Sequence, residues 1–243
     1  MSFSTRHALV LALFGSLAAC TGVPSTTTET KNTTKSFSTV VVDAGHGGKD
    51  NGAFRRFGGA EKTATLDVAR RLERNLRESQ LKTVMTRSGD EFISLERRVE
   101  IENAQKNSVF ISIHFNDSRR RGIHGYETYY NSPGSRELAL RIQQKLMTIP
   151  HSMNRGVKRA NFRVLRLAKF PAVLVECGFL SNRKEGGEAR DQEYRELLAD
   201  RIAEAIVEVR YGKGVYQASA PRATPRSEAA GAGLAPSSLR PRN

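Results

Sequence analysis

The sequence predicts a single α/β domain, built on a doubly wound sheet of buried parallel strands. Three apolar runs without polar alternation, at residues 40–42, 109–113 and 172–175, are typical of strands buried on both faces. Amphipathic helices follow them, so strands and helices alternate from Phe37 to about Tyr211. A chain of 243 residues, 38% of them hydrophobic, is long enough for one such domain and its tails, and we expect no second domain.

The helices are predicted from apolar residues spaced three or four apart, which form a stripe along one face of each helix. Further strands are expected at residues 126–130 and at about 162–165, and the second helix is expected over about 136–147. The three stripes are Leu66, Ala69, Leu72 and Leu76, then Leu138, Ile142 and Leu146, and finally Leu198, Ile202, Ala205, Ile206 and Val209.

The first twenty residues predict an export signal. Arg6 and His7 precede an apolar stretch at residues 8–17, which is too short to span a bilayer and has the length of a signal-peptide core. The stretch ends in the letters LAAC, which resemble the bacterial lipobox, whose cysteine is diacylated and becomes the new amino terminus. We therefore expect a periplasmic or cell-envelope protein held on a membrane by a lipid on Cys20. The alternative is a plain cleavage site with a chance cysteine.

The rest of the chain divides into a tether, a folded domain and a tail. Residues 21–36 are rich in Thr and Ser, which predicts a flexible tether. The domain is expected over residues 37–214. Residues 215–243 are dominated by Ala, Pro, Ser, Gly and Arg without an apolar period, which predicts a disordered basic tail.

The charge of the chain indicates an anionic partner. With 39 Lys and Arg against 25 Asp and Glu, the formal net charge is +14, which attracts nucleic acid, an anionic membrane surface or an acidic wall polymer. Solvated helix faces and a basic tail would explain the excess equally well. Aromatic residues make up only 7% of the chain and Trp is absent, which disfavours single-stranded nucleic acid and leaves a wall polymer as the better interpretation.

Four residues carry the candidate chemistry, and three of them lie at or just beyond the ends of predicted strands. In an open α/β sheet, binding sites form at the carboxyl edge. His46, Glu61 and His114 supply two imidazoles and one carboxylate, the ligand set of a catalytic zinc ion with its fourth position left for water. Glu176 is then a spare carboxylate in an apolar segment, and we predict that it is the general base toward the attacking water.

Each of these residues has an ordinary structural alternative. A single His at a strand end is often a hydrogen-bonded structural residue, and Glu61 alone could be a charge that favours the start of a helix. His124 and His151 lack a comparable setting and are predicted to be surface or loop residues. Cys177 is predicted to be a buried core residue on the strand face opposite Glu176, not a nucleophile.

Seven segments occur in a fixed order over residues 39 to about 211: VVVDAGHGGKDNGA, GGAEK, TRSGDEFISLERRVEIENA, VFISIHFND, GYETYY, NRGVKRANFRVLR and PAVLVECGFLSN. In this order they resemble the zinc-dependent N-acetylmuramoyl-L-alanine amidases, the amidase 3 family. The resemblance implies that His46, Glu61 and His114 bind Zn²⁺ and that Glu176 is catalytic. It also implies a phosphorylase/hydrolase-like fold: a twisted, mostly parallel sheet of about six strands with helices on both faces.

The reaction implied by the resemblance is hydrolysis of the amide between N-acetylmuramic acid and L-alanine in peptidoglycan, in cell-wall remodelling or daughter-cell separation. We expect a monomer with no nucleic-acid partner. One detail of these segments departs from the usual pattern of the family. Phe115, Asn116 and Asp117 follow His114 and are expected to narrow the cleft. Some members also insert a helix over the zinc, and residues 148–160, with Pro150 and without an apolar period, leave little room for one.

Other functions remain open on the sequence. A zinc carboxypeptidase or another zinc peptidase acting on stem peptides would use the same ligands, together with an Arg that grips the substrate carboxylate. A non-catalytic peptidoglycan-binding lipoprotein is a second alternative, which the complete set of four residues disfavours. A basic nucleic-acid-binding protein is a third, which the export signal disfavours.

Overall fold

The computed structural model describes residues 31–218. The export signal, Cys20, the first part of the tether and most of the tail lie outside these residues. The described elements are β1 (Thr39–Ala44), β2 (Phe54–Arg55), β3 (Gly59–Ala60), α1 (Glu61–Glu78), β4 (Lys82–Met85), α2 (Leu95–Asn103), β5 (Ser108–Asn116), β6 (Tyr126–Tyr130), α3 (Arg136–Leu146), β7 (Asn154–Arg159), α4 (Arg163–Arg166), β8 (Ala172–Phe179), α5 (Arg183–Glu188) and α6 (Gln192–Tyr211).

Six of the strands form one mixed sheet in the order β4-β1-β5-β8-β6-β7. Strands β4, β1, β5 and β8 are parallel, β6 is antiparallel to β8, and β7 is parallel to β6. The predicted fold class, a mostly parallel sheet of about six strands in a single domain, is therefore confirmed. Strands β2 and β3 form a separate antiparallel hairpin just before α1.

Alternate residues of the central strands point into two different cores, because successive strand side chains face opposite sides of a sheet. The larger core contains Val40 and Val42 of β1 together with buried residues of α1, α3 and α6. The smaller core contains Val41, Phe110 and Leu174 and is covered by α2 and α4. Helices therefore cover both faces, and the three predicted stripes supply the buried side of α1, α3 and α6.

One predicted strand is wrong. Residues 162–165 were expected to be extended, but Arg163–Arg166 is the short helix α4, whose Val164 and Leu165 are buried in the smaller core. The strand beside β6 is instead β7, within residues 148–160, for which no strand was predicted. It has no apolar run because it is an edge strand with exposed basic residues and contains Gly156 at a φ of 87°.

Residues 31–36 are bound to the domain at the amino ends of the parallel strands. The Thr33 hydroxyl donates to the carbonyl of Ser108 at 2.6 Å, and the Thr34 hydroxyl donates to the carbonyl of Gly134 at 2.7 Å. The Lys31 amide donates to the carbonyl of Lys169 at 2.9 Å. Because these contacts are hydrogen bonds and not apolar packing, the sequence of this segment has no apolar period that would predict them. Across residues 31–218, no helix is both long and apolar enough to cross a membrane.

Candidate metal centre

The candidate ligands come from three elements that meet at the carboxyl edge of the sheet. His46 lies two residues beyond β1, Glu61 is the first residue of α1, and His114 lies near the end of β5. The Nε2 atom of His46 and the Nδ1 atom of His114 are each 3.0 Å from Oε1 of Glu61. The three ligand atoms lie within 4.8 Å of one another, so the structure brings the predicted zinc ligands into one group.

Glycine is required at two positions beside the ligands. A Cβ atom on Gly45 would lie 2.4 Å from Cε1 of His114. A Cβ atom on Gly52 would lie 2.5 Å from Oε2 of Glu61, and the φ of 61° at Gly52 also favours glycine. The close packing of backbone against both side chains therefore depends on these glycines.

Glu61 is buried and ionised. Its Oε1 accepts the Phe115 amide at 3.0 Å and its Oε2 accepts the Ala53 amide at 2.9 Å. Burial opposes ionisation, but the hydrogen bonds and charges of His114 and His46 outweigh it and lower the pKa of Glu61 well below its usual range. A buried carboxylate between two imidazoles is a suitable donor set for a divalent cation.

Asp50 orients His46, a role that was not predicted from the sequence. Its Oδ2 lies 2.9 Å from Nδ1 of His46, which leaves Nε2 for a metal. This is the common arrangement in which a carboxylate fixes the tautomer of a ligating imidazole. Burial lowers the pKa of His46, but Glu61 and Asp50 together raise it above its ordinary value. The signal in the sequence was the spacing of four residues within GHGGKD.

Two buried arginines hold the backbone that carries His46. Arg98 of α2 pairs with the buried Asp43 and also donates to the carbonyls of Ala44 and His46, each at 2.7 Å. Arg87 donates to the carbonyls of Ala44, at 2.9 Å, and of Gly45, at 2.8 Å. Neither arginine has a role predicted from the sequence, because these contacts with residues 43–46 span more than forty residues of the chain.

Glu176 of β8 lies beside this group. It is the register partner of His114 on β5, and its Oε2 atom is buried without a hydrogen-bond partner in the described part of the chain. Burial raises the pKa of Glu176 to about 7, and the negative charges of Glu61 and Glu127 add to the rise while His114 opposes it. A carboxylate in this setting can take and return a proton near neutral pH.

Glu127, on the opposite side of Glu176 from His114, is a further residue without a predicted role. It is the register partner of Glu176 on β6 and accepts hydrogen bonds from the Tyr129 hydroxyl and from Arg155, with Lys158 Nζ at 3.1 Å. Burial opposes its ionisation, but these partners lower the pKa of Glu127. The charged Glu127 therefore lies next to Glu176 without competing for its proton.

A cavity of about 330 Å³ opens next to these groups. His46, His114 and Glu176 line one part of it, and the segments around α2 and α4 contribute an apolar wall together with Arg98 and Arg163. Three of these apolar side chains, Phe92, Leu95 and Phe162, are also exposed at the surface. The cavity can therefore hold a substrate that has both an apolar part and a bond presented to Glu176.

Four further residues with predicted positions are Phe115, His124, His151 and Cys177. Phe115 does not narrow the cleft, because strand alternation places it in the larger core, on the face opposite His114. His124 and His151 lie outside the helices and strands and away from the cavity, as predicted. Cys177 is buried in the larger core, as predicted, and burial raises the pKa of its thiol well above the ordinary value.

Comparisons with known proteins agree with this geometry. The profile of a family described as N-acetylmuramoyl-L-alanine amidase matches residues 40–208. The chain is 38% identical to YqiI of Bacillus subtilis (strain 168) over 172 residues, which cover 69% of this chain and 82% of YqiI. It is 36% identical to the N-acetylmuramoyl-L-alanine amidase LytC of the same organism over 173 residues, or 70% of this chain, but spans only 35% of LytC.

A solved structure shares the fold. The catalytic domain of CwlV, an N-acetylmuramoyl-L-alanine amidase from Bacillus (Paenibacillus) polymyxa var. colistinus, superposes with a TM-score of 0.67 at 38% identity. The superposition covers 71% of this chain and 97% of the CwlV domain. The similarity therefore extends over a complete catalytic domain.

Proposed function

The chain belongs to the N-acetylmuramoyl-L-alanine amidase family, and we propose that it hydrolyses the amide bond between N-acetylmuramic acid and L-alanine in peptidoglycan with the help of Zn²⁺. The observation that carries the proposal is the position of Glu176. A buried carboxylate oxygen without a hydrogen-bond partner lies beside a group of two imidazoles and a carboxylate, as amide hydrolysis by a metal and a general base requires.

The ligand group fits zinc by its chemistry. Two histidines and one glutamate are a common ligand set of catalytic zinc, and His46, Glu61 and His114 would hold the ion. When bound, zinc polarises the carbonyl of the substrate and lowers the pKa of water to about 7. Asp50 would fix the tautomer of His46 in this state, and Arg98 would hold the backbone carbonyl of His46 in place.

Glu176 moves the proton. Its carboxylate takes a proton from the water that attacks the lactyl carbonyl, and the protonated carboxyl then gives this proton to the departing nitrogen of L-alanine. A carboxyl pKa that burial raises above its ordinary value suits both halves of the cycle. The apolar residues Phe92, Leu95 and Phe162 would exclude water around the bound glycopeptide.

A stem-peptide carboxypeptidase is the less favoured function. Such an enzyme needs an arginine that is free to bind a carboxylate, and the two arginines that line the cavity are already paired. Arg98 pairs with the buried Asp43, and Arg163 lies 2.7 Å from Glu96. A binding protein without catalysis would gain nothing from the unpartnered oxygen of Glu176, which is costly to bury.

The cellular setting follows from the sequence. We propose an exported lipoprotein of the cell envelope, anchored at Cys20, which acts in wall remodelling or daughter-cell separation as a monomer without a nucleic-acid partner. The predicted tether at residues 21–36, of which residues 31–36 contact the domain, and the predicted basic tail at residues 215–243 belong to the same proposal.

Mass spectrometry of digested peptidoglycan tests the function. Purified wall is incubated with the protein, with the protein plus a chelator, and with chelated protein resupplied with Zn²⁺. An amidase releases peptides with a free amino group on L-alanine, and only in the first and third reactions. Release of a carboxyl-terminal amino acid from the stem would show a carboxypeptidase instead. Glu176→Gln is the matched control.

A further inference from the structure

A cationic surface lies at the end of the domain opposite the candidate metal centre. We call it the amino-edge face and define it by Lys31, Lys35, Lys82, Lys106, Lys169 and Lys213, all of them exposed. It surrounds the amino ends of the parallel strands, whereas His46, Glu61, His114 and Glu176 lie at their carboxyl ends.

Backbone contacts bring these lysines to one edge of the sheet. Lys82 is the register partner of Thr39, the first residue of β1. Lys106 precedes Asn107, whose carbonyl accepts the amide of Ser38 at 2.9 Å. The amide of Lys31 bonds to the carbonyl of Lys169. The positive charges therefore form one surface around residues 31–39.

The end of α6 adds Lys213 to this surface. Arg210 of α6 donates to the carbonyl of Phe37 at 2.5 Å, so the helix ends at the start of β1. The sequence after Ala218 contains four arginines and one glutamate. The basic tail therefore also leaves the domain from this edge.

Most of the charge on this face has no counter-charge. Among the described residues, Lys35 is the only one of the six lysines with an ion pair, to Glu137 at 3.8 Å. Glu78, the last residue of α1, is also exposed at this edge. On the helical side of the domain, Lys145 is neutralised, because its Nζ lies 2.7 Å from both Glu204 and Glu208. The amino-edge face is thus a surface for an anionic partner.

The position of Cys20 indicates which partner. Lys31, on this face, is separated from Cys20 by the ten residues 21–30, which can span at most about 35 Å when fully extended. A lipid on Cys20 would therefore keep this face within about 35 Å of a bilayer, so that its lysines can reach the lipid surface. Clusters of lysine near a bilayer are attracted to anionic lipid headgroups within about a Debye length, roughly 10 Å.

We propose that the amino-edge face rests on an anionic lipid bilayer, so that the candidate metal centre points away from the membrane. This inference rests on the proposed lipid anchor at Cys20. The anchor supplies attachment, and the lysines supply orientation. The enzyme would then present its cleft to peptidoglycan beyond the membrane and not to its own lipid surface.

Site-specific fluorescence quenching tests the orientation on the lipidated, full-length protein. Ser38→Cys places a label on the amino-edge face, and Thr63→Cys places one at the start of α1, on the catalytic edge; both residues are small, polar and exposed. Cys177 is buried and does not compete for the label. The protein is bound to vesicles of phosphatidylglycerol and phosphatidylcholine that carry a nitroxide headgroup quencher.

We expect the Ser38 label to be quenched several-fold more than the Thr63 label, and the difference to shrink in pure phosphatidylcholine or in 0.5 M salt. The triple variant Lys82→Gln, Lys106→Gln, Lys169→Gln should lose the difference. The matched triple variant Arg119→Gln, Arg120→Gln, Arg121→Gln removes the same charge from the loop after β5, at the opposite edge, and should keep it.

Equal quenching of both labels, or no effect of salt or of the lysine variant, would overturn the proposal. The proposal would also be overturned if soluble polyphosphate changed the fluorescence of the Ser38 label while anionic vesicles did not quench it. The face would then bind a free polymer and not a bilayer. The intact mass of the protein shows separately whether acyl chains are attached, and a protein without acyl chains contradicts the anchored arrangement. Amidase activity on wall fragments is measured in parallel: an inactive parent protein would count against the proposed function and not against the orientation, and variants that keep the parent's activity are folded.

Discussion

Glu127 and Glu176 are register partners on the antiparallel strands β6 and β8, yet their surroundings shift their carboxyl pKa values in opposite directions. Tyr129, Arg155 and Lys158 outweigh the burial of Glu127 and lower its pKa. Burial without a hydrogen-bond partner raises the pKa of Glu176 to about 7. Two neighbouring carboxyl groups with separated pKa values are typical of a site in which one group stays charged and the other transfers protons.

The first prediction separates proton transfer from metal binding. Glu176→Gln keeps the shape of the side chain but cannot accept a proton, so turnover should fall by at least about a hundredfold while one zinc ion per chain is retained. His114→Ala should lose both zinc and activity, because His114 is assigned as a ligand. Zinc content by atomic spectroscopy checks both variants. A Glu176→Gln protein without zinc would contradict the assignment.

The second prediction concerns the pH dependence of activity. Glu176 must be ionised to act as a base, so kcat/KM should fall as the pH drops through its pKa. Glu127→Gln removes a negative charge that helps to raise this pKa, and the acidic limb should move to lower pH, by up to about one unit. Bound zinc lowers the pKa of Glu176 in the parent enzyme, but it does not reverse the direction of the shift that Glu127→Gln causes. Tyr129→Phe, which keeps the charge of Glu127, is the matched control and should shift the limb much less.

The central strands could be predicted from the sequence because parallel strands buried on both faces must be apolar. Strand β7 could not, since an edge strand with Lys158 and Arg159 exposed needs no apolar run. Helix α4 was mistaken for a strand because Val164 and Leu165 are adjacent apolar residues, and a single helical turn has no period to recognise.

The candidate site was also only partly predictable from the sequence. The four residues that carry the chemistry stand in short motifs and could be selected from the sequence. The residues that hold them in place act across long sequence separations. Arg98 reaches Asp43 across 55 residues, and Arg155 reaches Glu127 across 28. A carboxylate between aromatic residues in GYETYY was the available sign that a strand glutamate needed cationic partners.

The third prediction concerns stability. Glu102 of α2 is buried with one oxygen unpartnered, and burial raises its pKa from 4.5 to about 7, although the amides of Lys169 and Phe170 oppose this. The unfolded chain loses this proton near pH 4.5 and the folded protein keeps it to about pH 7, so the free energy of unfolding should fall as the pH rises through this window. The loss is about 3 kcal/mol.

Glu102→Gln should remove this loss. The stability of the variant relative to the parent should therefore increase between pH 5 and pH 8, measured by urea unfolding at both values. Glu100→Gln, on the exposed face of the same helix, is the matched control and should show little dependence on pH. A difference between Glu102→Gln and the parent that does not change with pH would show that Glu102 ionises normally.

The fourth prediction concerns the anchor. Cys20→Ala should move the protein from the membrane fraction to a soluble or unprocessed form, because the LAAC site would lose the atom that carries the lipid. Metabolic labelling with a fatty acid checks this directly. Cys177→Ala, at the only other cysteine of the chain, should keep the label. An unlabelled parent protein would leave the plain cleavage site as the explanation.

The last prediction is that the enzyme works without an activator. Between β5 and β8 the described elements are β6, a single 3₁₀ turn, α3, β7 and α4. Helix α3 packs against α6 on the far side of the sheet, and the four-residue α4 lines the cavity instead of covering the ligands. The side chains of His46 and His114 remain 22% and 20% exposed.

Purified protein should therefore cleave peptidoglycan unaided once zinc is supplied. The ring centroids of Phe162 and Tyr129 lie 5.1 Å apart, so Phe162→Ala loosens the contact of the α4 segment with Tyr129. This variant should leave the rate unchanged or reduce it, because it removes part of the apolar wall. In an enzyme inhibited by a covering helix, the same kind of change would raise the rate. A rise of tenfold or more, either in this variant or on addition of a dedicated activator protein, would contradict an open site controlled by tethering and access to the wall.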